Sequence, residues 1–174
     1  RYEHYDLDLE LPAPLVPREL RFPVEERITA KSEIRTPLNE RSIEKIIQEI
    51  RRQKVEAVAI GFLHSYVNDS HEKRAGELLA AALPGVSVTL SSAVCPEIRE
   101  YERFSTACAN AYVQPLMAGY LRRFEAALAQ RGFKCPLLLI VSSGGLASVE
   151  TASRFPIRLV ESGPAGGAIF AAGL

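Results

Sequence analysis

The spacing of apolar positions changes from segment to segment along this chain, and each spacing predicts an element. Residues 20–28 alternate apolar with charged side chains, the period of a half-exposed strand, and Pro23 favours an edge because it can donate no ladder hydrogen bond. From residue 40 the period lengthens: Ile43, Ile46, Ile47 and Ile50 share one face of a helix over 40–53, with Arg and Glu opposite and Asn39 placed to cap it. Residues 55–63 are nearly continuous in apolar and β-branched types, which predicts a strand buried on both faces. Asn68, Asp69 and Ser70 then offer capping side chains for a helix with Ala75, Leu78, Leu79 and Ala82 on one face, closed by Pro84 and Gly85. Residues 86–90 form another strand. Helix, strand, helix, strand with short turns predicts an α/β architecture with parallel pairing through crossover helices.

Residues 91–103 carry dense alternating charge and are expected to form a loop. A long helix over 105–131 follows, with Ala109, Tyr112, Val113, Leu116, Tyr120, Leu121, Phe124 and Leu128 at helical spacing as its core-packing stripe. Pro115 predicts a kink or break within it, and Gly132 a stop. Residues 136–141 are an apolar run of buried-strand length, emptying into Ser142-Ser143-Gly144-Gly145, a turn that leaves backbone N–H groups to face a ligand. A further short strand is expected to end at Glu161-Ser162. Pro164 then sits where a first helical turn accepts proline, and the Gly and Ala beyond it allow a close backbone approach. Together these read as a ligand-facing corner of an α/β fold. Residues 1–17, with three prolines and no sustained period, read as an extended connector.

Composition narrows the classes. At 174 residues and 47% apolar, the chain can bury the core of one domain or of one large lobe. Its 21 basic and 21 acidic residues cancel, so nothing recruits nucleic acid or an anionic membrane. Cys95, Cys108 and Cys135 are odd in number and widely spaced, which fits reduced thiols and a cytoplasmic setting. No segment reaches membrane-spanning length and no signal-peptide pattern opens the chain. The missing initiator Met, and an end at Gly173-Leu174 inside an apolar helical pattern, predict a piece of a longer protein.

Candidate chemistry is sparse when read residue by residue. His64 and His71 are seven apart, which is not a helical ligand spacing; no metal set is expected, and His64 should hydrogen-bond locally. Cys95 has no His partner nearby in sequence to make it a nucleophile. The run containing Glu97, Arg99, Glu100, Glu102 and Arg103 reads on general grounds as a self-paired surface.

Several blocks in fixed order carry more. Leu63-His-Ser-Tyr66, Ser91-Ser followed by Pro96-Glu-Ile-Arg-Glu-Tyr-Glu-Arg103, Asn110-Ala-Tyr-Val-Gln-Pro115, Ser143-Gly-Gly-Leu146 and Ser162-Gly-Pro-Ala-Gly166 resemble the hydantoinase A / 5-oxoprolinase family, which includes the β-type subunits of ketone carboxylases. The resemblance implies part of an actin-like ATPase lobe (RNase H-like, of the Hsp70 and sugar-kinase type) with a mixed sheet and crossover helices. Residues 1–85 would close an N-terminal hydantoinase/oxoprolinase domain and 86–174 would open the core hydantoinase A domain, with the chain cut at both ends. It further implies Mg·ATP as cofactor, a small cyclic amide such as hydantoin or 5-oxoproline as substrate, ring opening through a phosphorylated substrate, and a hydantoinase B-like partner subunit or domain. Ser143, Gly144, Gly145, Glu161, Ser162 and Gly163 are then expected to face the nucleotide cleft, and Arg99, Glu100 and Arg103 to structure a cleft wall, while the catalytic residues stay unassigned. The family's Asp-x-Gly-Gly-Thr phosphate loop is absent, and Asp6, Asp8 and Asp69 are the only aspartates. Phosphoryl transfer needs placed carboxylates and backbone cradles, so the chain alone is expected to be inactive and to hold no nucleotide tightly. Two alternatives stand beside this reading: an ATP-dependent ketone carboxylase subunit, and an actin-like module that binds nucleotide or a partner without turnover.

Overall fold

The computed structural model describes Asp8 and residues 13–173. Most of the expected connector, with Asp6 and Leu174, lies outside the described residues. A 3-10 turn at Arg18–Leu20 precedes the first pairing, between β1 (Arg27–Ile28) and β2 (Ile34–Thr36), which run antiparallel. The predicted strand over 20–28 therefore pairs only at its last two residues. Its alternation survives as burial, with Val24 against the core and Ile28 fully covered, while the charged positions make side-chain bonds: Asn39 Nδ2 donates to Glu25 Oε2 at 3.2 Å, and His71 Nδ1 lies 2.8 Å from Glu26 Oε2.

The next four elements form as their periods dictate, although only the first helix is capped by a side chain, Asp69 making no cap bond to the second. Helix α1 (Glu40–Arg52) starts at Asn39, whose Oδ1 accepts from the Ser42 N–H at 3.3 Å, and it buries Ile43, Ile47 and Ile50. Each of these isoleucines contributes about 2 kcal/mol by leaving water. Strand β3 (Ala57–Ile60) runs parallel to β4 (Ser87–Leu90), in register from Ala57 opposite Ser87 to Ile60 opposite Leu90, with α2 (Ser70–Ala82) as the crossover. Ile60, Ala75, Leu79 and Leu83 close this core against α1.

The opposite face of β3 and β4 is covered by α4 (Glu100–Gln130), about 46 Å long at 1.5 Å per residue. It begins earlier than its apolar pattern suggests, because the end of the charged run supplies its first turn, and a short α3 (Ser91–Val94) takes up the start of that expected loop. Pro115 does not break α4; its missing N–H deprives only the carbonyl one turn back, and the helix runs on to Gly132, which takes a left-handed φ of 86°. The expected core stripe is the larger departure. Leu121 is 1% exposed, but Tyr112, Leu116, Tyr120 and Phe124 are 82%, 74%, 51% and 40% exposed. The face turned to the sheet is instead Arg103, Ala107, Asn110 and Ala111, where small side chains permit close approach and polar ones find partners. Phe104 lies so close to Gly61 that a Cβ there would stand 2.5 Å from its ring.

The last segment forms a hairpin, β5 (Leu138–Ile140) antiparallel to β6 (Leu146–Ser148), followed by α5 (Val149–Arg154). The 136–141 run is thus not a buried strand: Leu139 turns inward toward Leu121, Val149 and Ala152, while Leu138 and Ile140 are exposed and β6 is its only paired neighbour among the described residues. The strand expected before Glu161 is a 3-10 turn, Pro156–Leu159, seated by Asn110 of α4, whose Oδ1 accepts from the Ile157 N–H at 3.3 Å. Helix α6 (Ser162–Ala172) lies on the hairpin, and a Cβ at Gly166 would meet Ile140 Cδ1 at 3.1 Å. The architecture is α/β with parallel and antiparallel pairing, spread over three two-stranded sheets among the described residues. No helix among them is long and apolar enough to cross a membrane.

Candidate functional site

The carboxyl ends of the parallel pair β3 and β4, where open α/β sheets characteristically bind ligands, empty into residues 61–67 and 91–99. Beneath these loops lies a buried polar network. Glu72, fully covered on α2, accepts four hydrogen bonds: from the Phe62 N–H at 3.0 Å and the Ser91 hydroxyl at 2.6 Å through Oε1, and from the Ser92 N–H at 2.9 Å and the Ser92 hydroxyl at 2.7 Å through Oε2. A carboxylate satisfied in this way fastens one strand-end loop to the other. Arg103 completes the fastening: Nε donates to Ser91 Oγ at 3.2 Å, Nη1 to the Glu97 carbonyl at 2.7 Å and Nη2 to the Phe62 carbonyl at 3.0 Å. Its guanidinium also stacks over Tyr66 and Phe104 at 5.5 and 5.1 Å from the ring centroids.

Two residues without glycine's freedom are held left-handed where these loops meet, His64 at φ 58° and Arg99 at φ 81°. Such backbone costs energy and persists only where surroundings enforce it. Glu100 follows Arg99 directly, at the first turn of α4. Its carboxyl is held below the usual carboxylate range first by its own backbone N–H, and also by the Arg103 charge and the His64 backbone N–H. Arg103 Nη2 lies 3.5 Å from Glu100 Oε1.

The sequence-predicted residues fall into two groups. Ser143–Gly145 and Glu161–Gly163, far apart in the chain, are brought to one corner by Ser142: its N–H and its hydroxyl each donate to the Arg158 carbonyl at 2.7 Å, and its Oγ accepts from the Glu161 N–H at 3.1 Å. Gly144, at φ 84°, makes the turn. Ser143, Gly145, Glu161 and Gly163 are exposed; Gly144 and Ser162 are half-buried. Arg158 reaches from this corner to the carbonyls of Ala93 and Val94 at 3.3 and 3.2 Å, tying it to the segment that Glu72 and Arg103 hold. In the second group Arg99 is exposed and Glu100 half-buried, but Arg103 is fully buried and lines no surface.

Glu72 escaped the sequence reading, and Ser91 and Asn110 entered it only as members of the family blocks, with no role. The signal was present for Glu72, which shares the 72, 75, 79 spacing with buried Ala75 and Leu79, and for Asn110, which lies on the same α4 face as Ala107. His64 departs from expectation in the other direction: its buried Nδ1 has no hydrogen-bond partner. Burial pushes the Cys95 thiol up, with Glu97 adding to it, and burial does the same to Cys108, so neither is primed as a nucleophile.

At the start of α6 the Ser162 and Gly163 N–H groups have no helical acceptor and could meet an anion, whereas Pro164 has no N–H and that of Glu161 is taken by Ser142 Oγ at 3.1 Å. Mg²⁺ is less well served: no group of three or more His, Cys, Asp or Glu side chains able to hold a metal lies among the described residues. Two open clefts of about 620 and 630 Å³ flank α4 and share Gln114, Ala118 and Arg122, but neither is lined by any predicted residue, and the second opens at Ser87, the amino end of β4.

Comparison with known proteins agrees with the block order. Residues 1–83 match the hydantoinase/oxoprolinase N-terminal region and residues 103–174 the hydantoinase/oxoprolinase region. The chain is 45% identical over 165 residues to an uncharacterised protein of Methanocaldococcus jannaschii, covering 95% of this chain and 24% of that protein. It is 42% identical over 151 residues to caprolactamase subunit alpha of Pseudomonas jessenii, covering 87% and 22%. The crystal structure of the ATP-dependent caprolactamase from that organism superposes with a TM-score of 0.77 at 38% identity, over 90% of this chain and 23% of the other. Nucleotide-free acetone carboxylase superposes with a TM-score of 0.83 at 27% identity, over 93% and 23%. The chain thus spans about a quarter of the length of these relatives.

Proposed function

Because the chain belongs to the hydantoinase/oxoprolinase family, we propose that it forms part of a cytoplasmic enzyme that couples ATP hydrolysis to opening a cyclic amide. The observation carrying this reading is the pair of family regions in order along one chain, together with 42% identity to the alpha subunit of a caprolactamase. In this reading residues 1–85 end the N-terminal region and residues 86–174 begin the next. Ser143, Gly144, Gly145, Glu161, Ser162 and Gly163 form a corner that faces the nucleotide or the substrate, with Mg²⁺ carboxylates supplied from elsewhere in the protein. Arg99 and Glu100 line the wall beside it, and Arg103 positions them from below. A hydantoinase B-like subunit or domain is the expected partner, since the caprolactamase relative is itself a subunit.

The test is ATP hydrolysis by the full-length protein with any co-purifying partner, offered hydantoin, 5-oxoproline or ε-caprolactam. The expected result is stimulation by at least one cyclic amide without bicarbonate. A requirement for a ketone and bicarbonate together would favour the carboxylase reading, which has the higher TM-score in its support, 0.83 against 0.77. ATP binding without turnover under any of these conditions would favour a non-catalytic module. The 174-residue chain alone is expected to hold nucleotide weakly and to hydrolyse none.

A further inference from the structure

We infer that the outer face of α4, the row Tyr112, Leu116, Tyr120 and Phe124, is an internal docking surface covered by the part of the protein's own polypeptide that lies outside these 174 residues. The inference does not depend on the cyclic-amide reading. Residues four apart on a helix stand one above another, so the four side chains form a single row about 18 Å long. They are 82%, 74%, 51% and 40% exposed. Tyr120 and Phe124 are already stacked, with ring centroids 6.0 Å apart and planes 5° from parallel, which presets a flat surface. At roughly 200 Å² per aromatic side chain, these exposures leave about 350 Å² of aromatic surface to water before Leu116 is added, which is the size of an interaction patch. Charge is missing as well: no Asp, Glu, Lys, Arg or His lies from Phe104 to Leu121. The first two helices show what a solvated back looks like in this protein. Helix α1 turns Arg41, Glu44 and Lys45 outward, and α2 turns Lys73, Arg74 and Glu77.

The occupant follows from where the apolar surface is unfinished. Among the described residues before Ile98, only Leu15, Ile34, Leu63 and Val67 are exposed large apolar side chains, and the core between α1, α2, β3 and β4 holds seven buried residues. Beyond it, α4, β5, β6 and α6 all expose large apolar side chains, while the second core holds three buried residues, Leu121, Val149 and Ala152. The open surface therefore falls in the region matched over residues 103–174 and not in the N-terminal region. A region with so small a core needs further chain to bury its apolar faces. The relatives have that length, since this chain spans about a quarter of them. Because the exposures run over several elements of one region, they mark its own incomplete core, which the same polypeptide completes as the domain folds. A second copy laid row against row would leave β5, β6 and α6 uncovered. The covering segment is apolar and uncharged along the row, where a buried charge would find no partner, and it offers acceptors to the tyrosine hydroxyls.

Two measurements test this. In the first, wild-type full-length protein, with and without any co-purifying partner, is treated with tetranitromethane, and nitration of Tyr112 is followed by peptide mass spectrometry against urea-unfolded protein. The expected result is nitration at least roughly tenfold slower than in urea, with or without the partner and at every protein concentration, as a covered segment requires. Nitration at the unfolded rate overturns the inference. Protection that needs the partner assigns the face to that subunit, and protection that grows with protein concentration assigns it to a second copy; either outcome also overturns it. The second measurement places a photo-cross-linker, Leu116→p-benzoylphenylalanine, in the full-length protein with any co-purifying partner. The expected product runs at the mass of one polypeptide and links position 116 to a peptide outside residues 1–174. Links to another polypeptide, to residues 1–174 alone, or to nothing overturn the inference. Should that variant not fold, nitration of the wild type decides; should the protein not separate from its partner, the cross-link decides.

Discussion

Arg103 is the residue on which the strand-end loops depend most. Replacement by Met keeps much of the aliphatic stem and its packing but removes three donated bonds, leaving the Phe62 and Glu97 carbonyls and Ser91 Oγ without their donor at a site that is 0% exposed. Bonds from a charged donor are worth about 1.5–3 kcal/mol each, but they do not sum, because a freed carbonyl near the surface recovers water. Loss of one member of a buried charged network, with the Glu72 carboxylate left in place, costs about 3–5 kcal/mol, and that range is the expectation for Arg103→Met. Arg103→Lys restores the charge without the planar fork and should recover only part of the loss. In urea unfolding followed by circular dichroism, a slope near 2 kcal/mol per molar converts about 4 kcal/mol into a midpoint lower by roughly 2 M. A Met variant within about 0.5 kcal/mol of wild type, at unchanged slope, would refute the assignment of Arg103 as the hub of the loops.

Other consequences are open to simple experiments. Gly61→Ala places a Cβ 2.5 Å from the Phe104 ring, which the Arg103 guanidinium covers, so a loss of about 1–3 kcal/mol is expected in the same urea assay; a neutral result would mean that the ring or α4 can shift away from β3. The lowered Glu100 carboxyl stabilises the folded state above the ordinary glutamate value of 4.5, and that contribution disappears as pH falls through the lower folded value. The stability difference between wild type and Glu100→Gln should therefore shrink on acidification, and a difference independent of pH would contradict the assignment. Among the thiols, exposed Cys135 should react with iodoacetamide first, while Cys95 and Cys108, raised by burial, should need higher pH or partial unfolding; peptide mapping of the alkylated protein reads the order directly.

The elements most legible from sequence were those in which period, cap and stop agree. Helix α1 has Asn39 before it and four isoleucines on one face, and β3 and β4 are short, apolar and separated by a helix-length crossover, so their parallel pairing follows from chain direction alone. The face of α4 was misread because hydrophobicity is only one route to burial. Arg103 and Asn110 are buried by satisfied hydrogen bonds, and Ala107 and Ala111 by their size, while the aromatic residues that dominate any apolar count point outward. Burial of β5 failed for a related reason: apolar composition does not say how many neighbours a strand has, and here only β6 pairs with it among the described residues. The corner was legible as two glycine-bearing segments. Their meeting was not, because it depends on Ser142 and Arg158, one polar residue bonding another's backbone across a separation that no local pattern encodes. The local hydrogen bond expected of His64 fails at Nδ1, because neither a left-handed backbone nor the isolation of that nitrogen leaves a mark on sequence.

The measurement that bears most directly on the account is stoichiometry. The full-length protein with any co-purifying partner is mixed with ATP and a cyclic amide, and ADP and ring-opened product are quantified from the same samples over time. The account predicts that the two appear together in equal amounts and that omitting either substrate abolishes both. ADP release indifferent to the amide, or product formed only when bicarbonate and a ketone replace it, would contradict it.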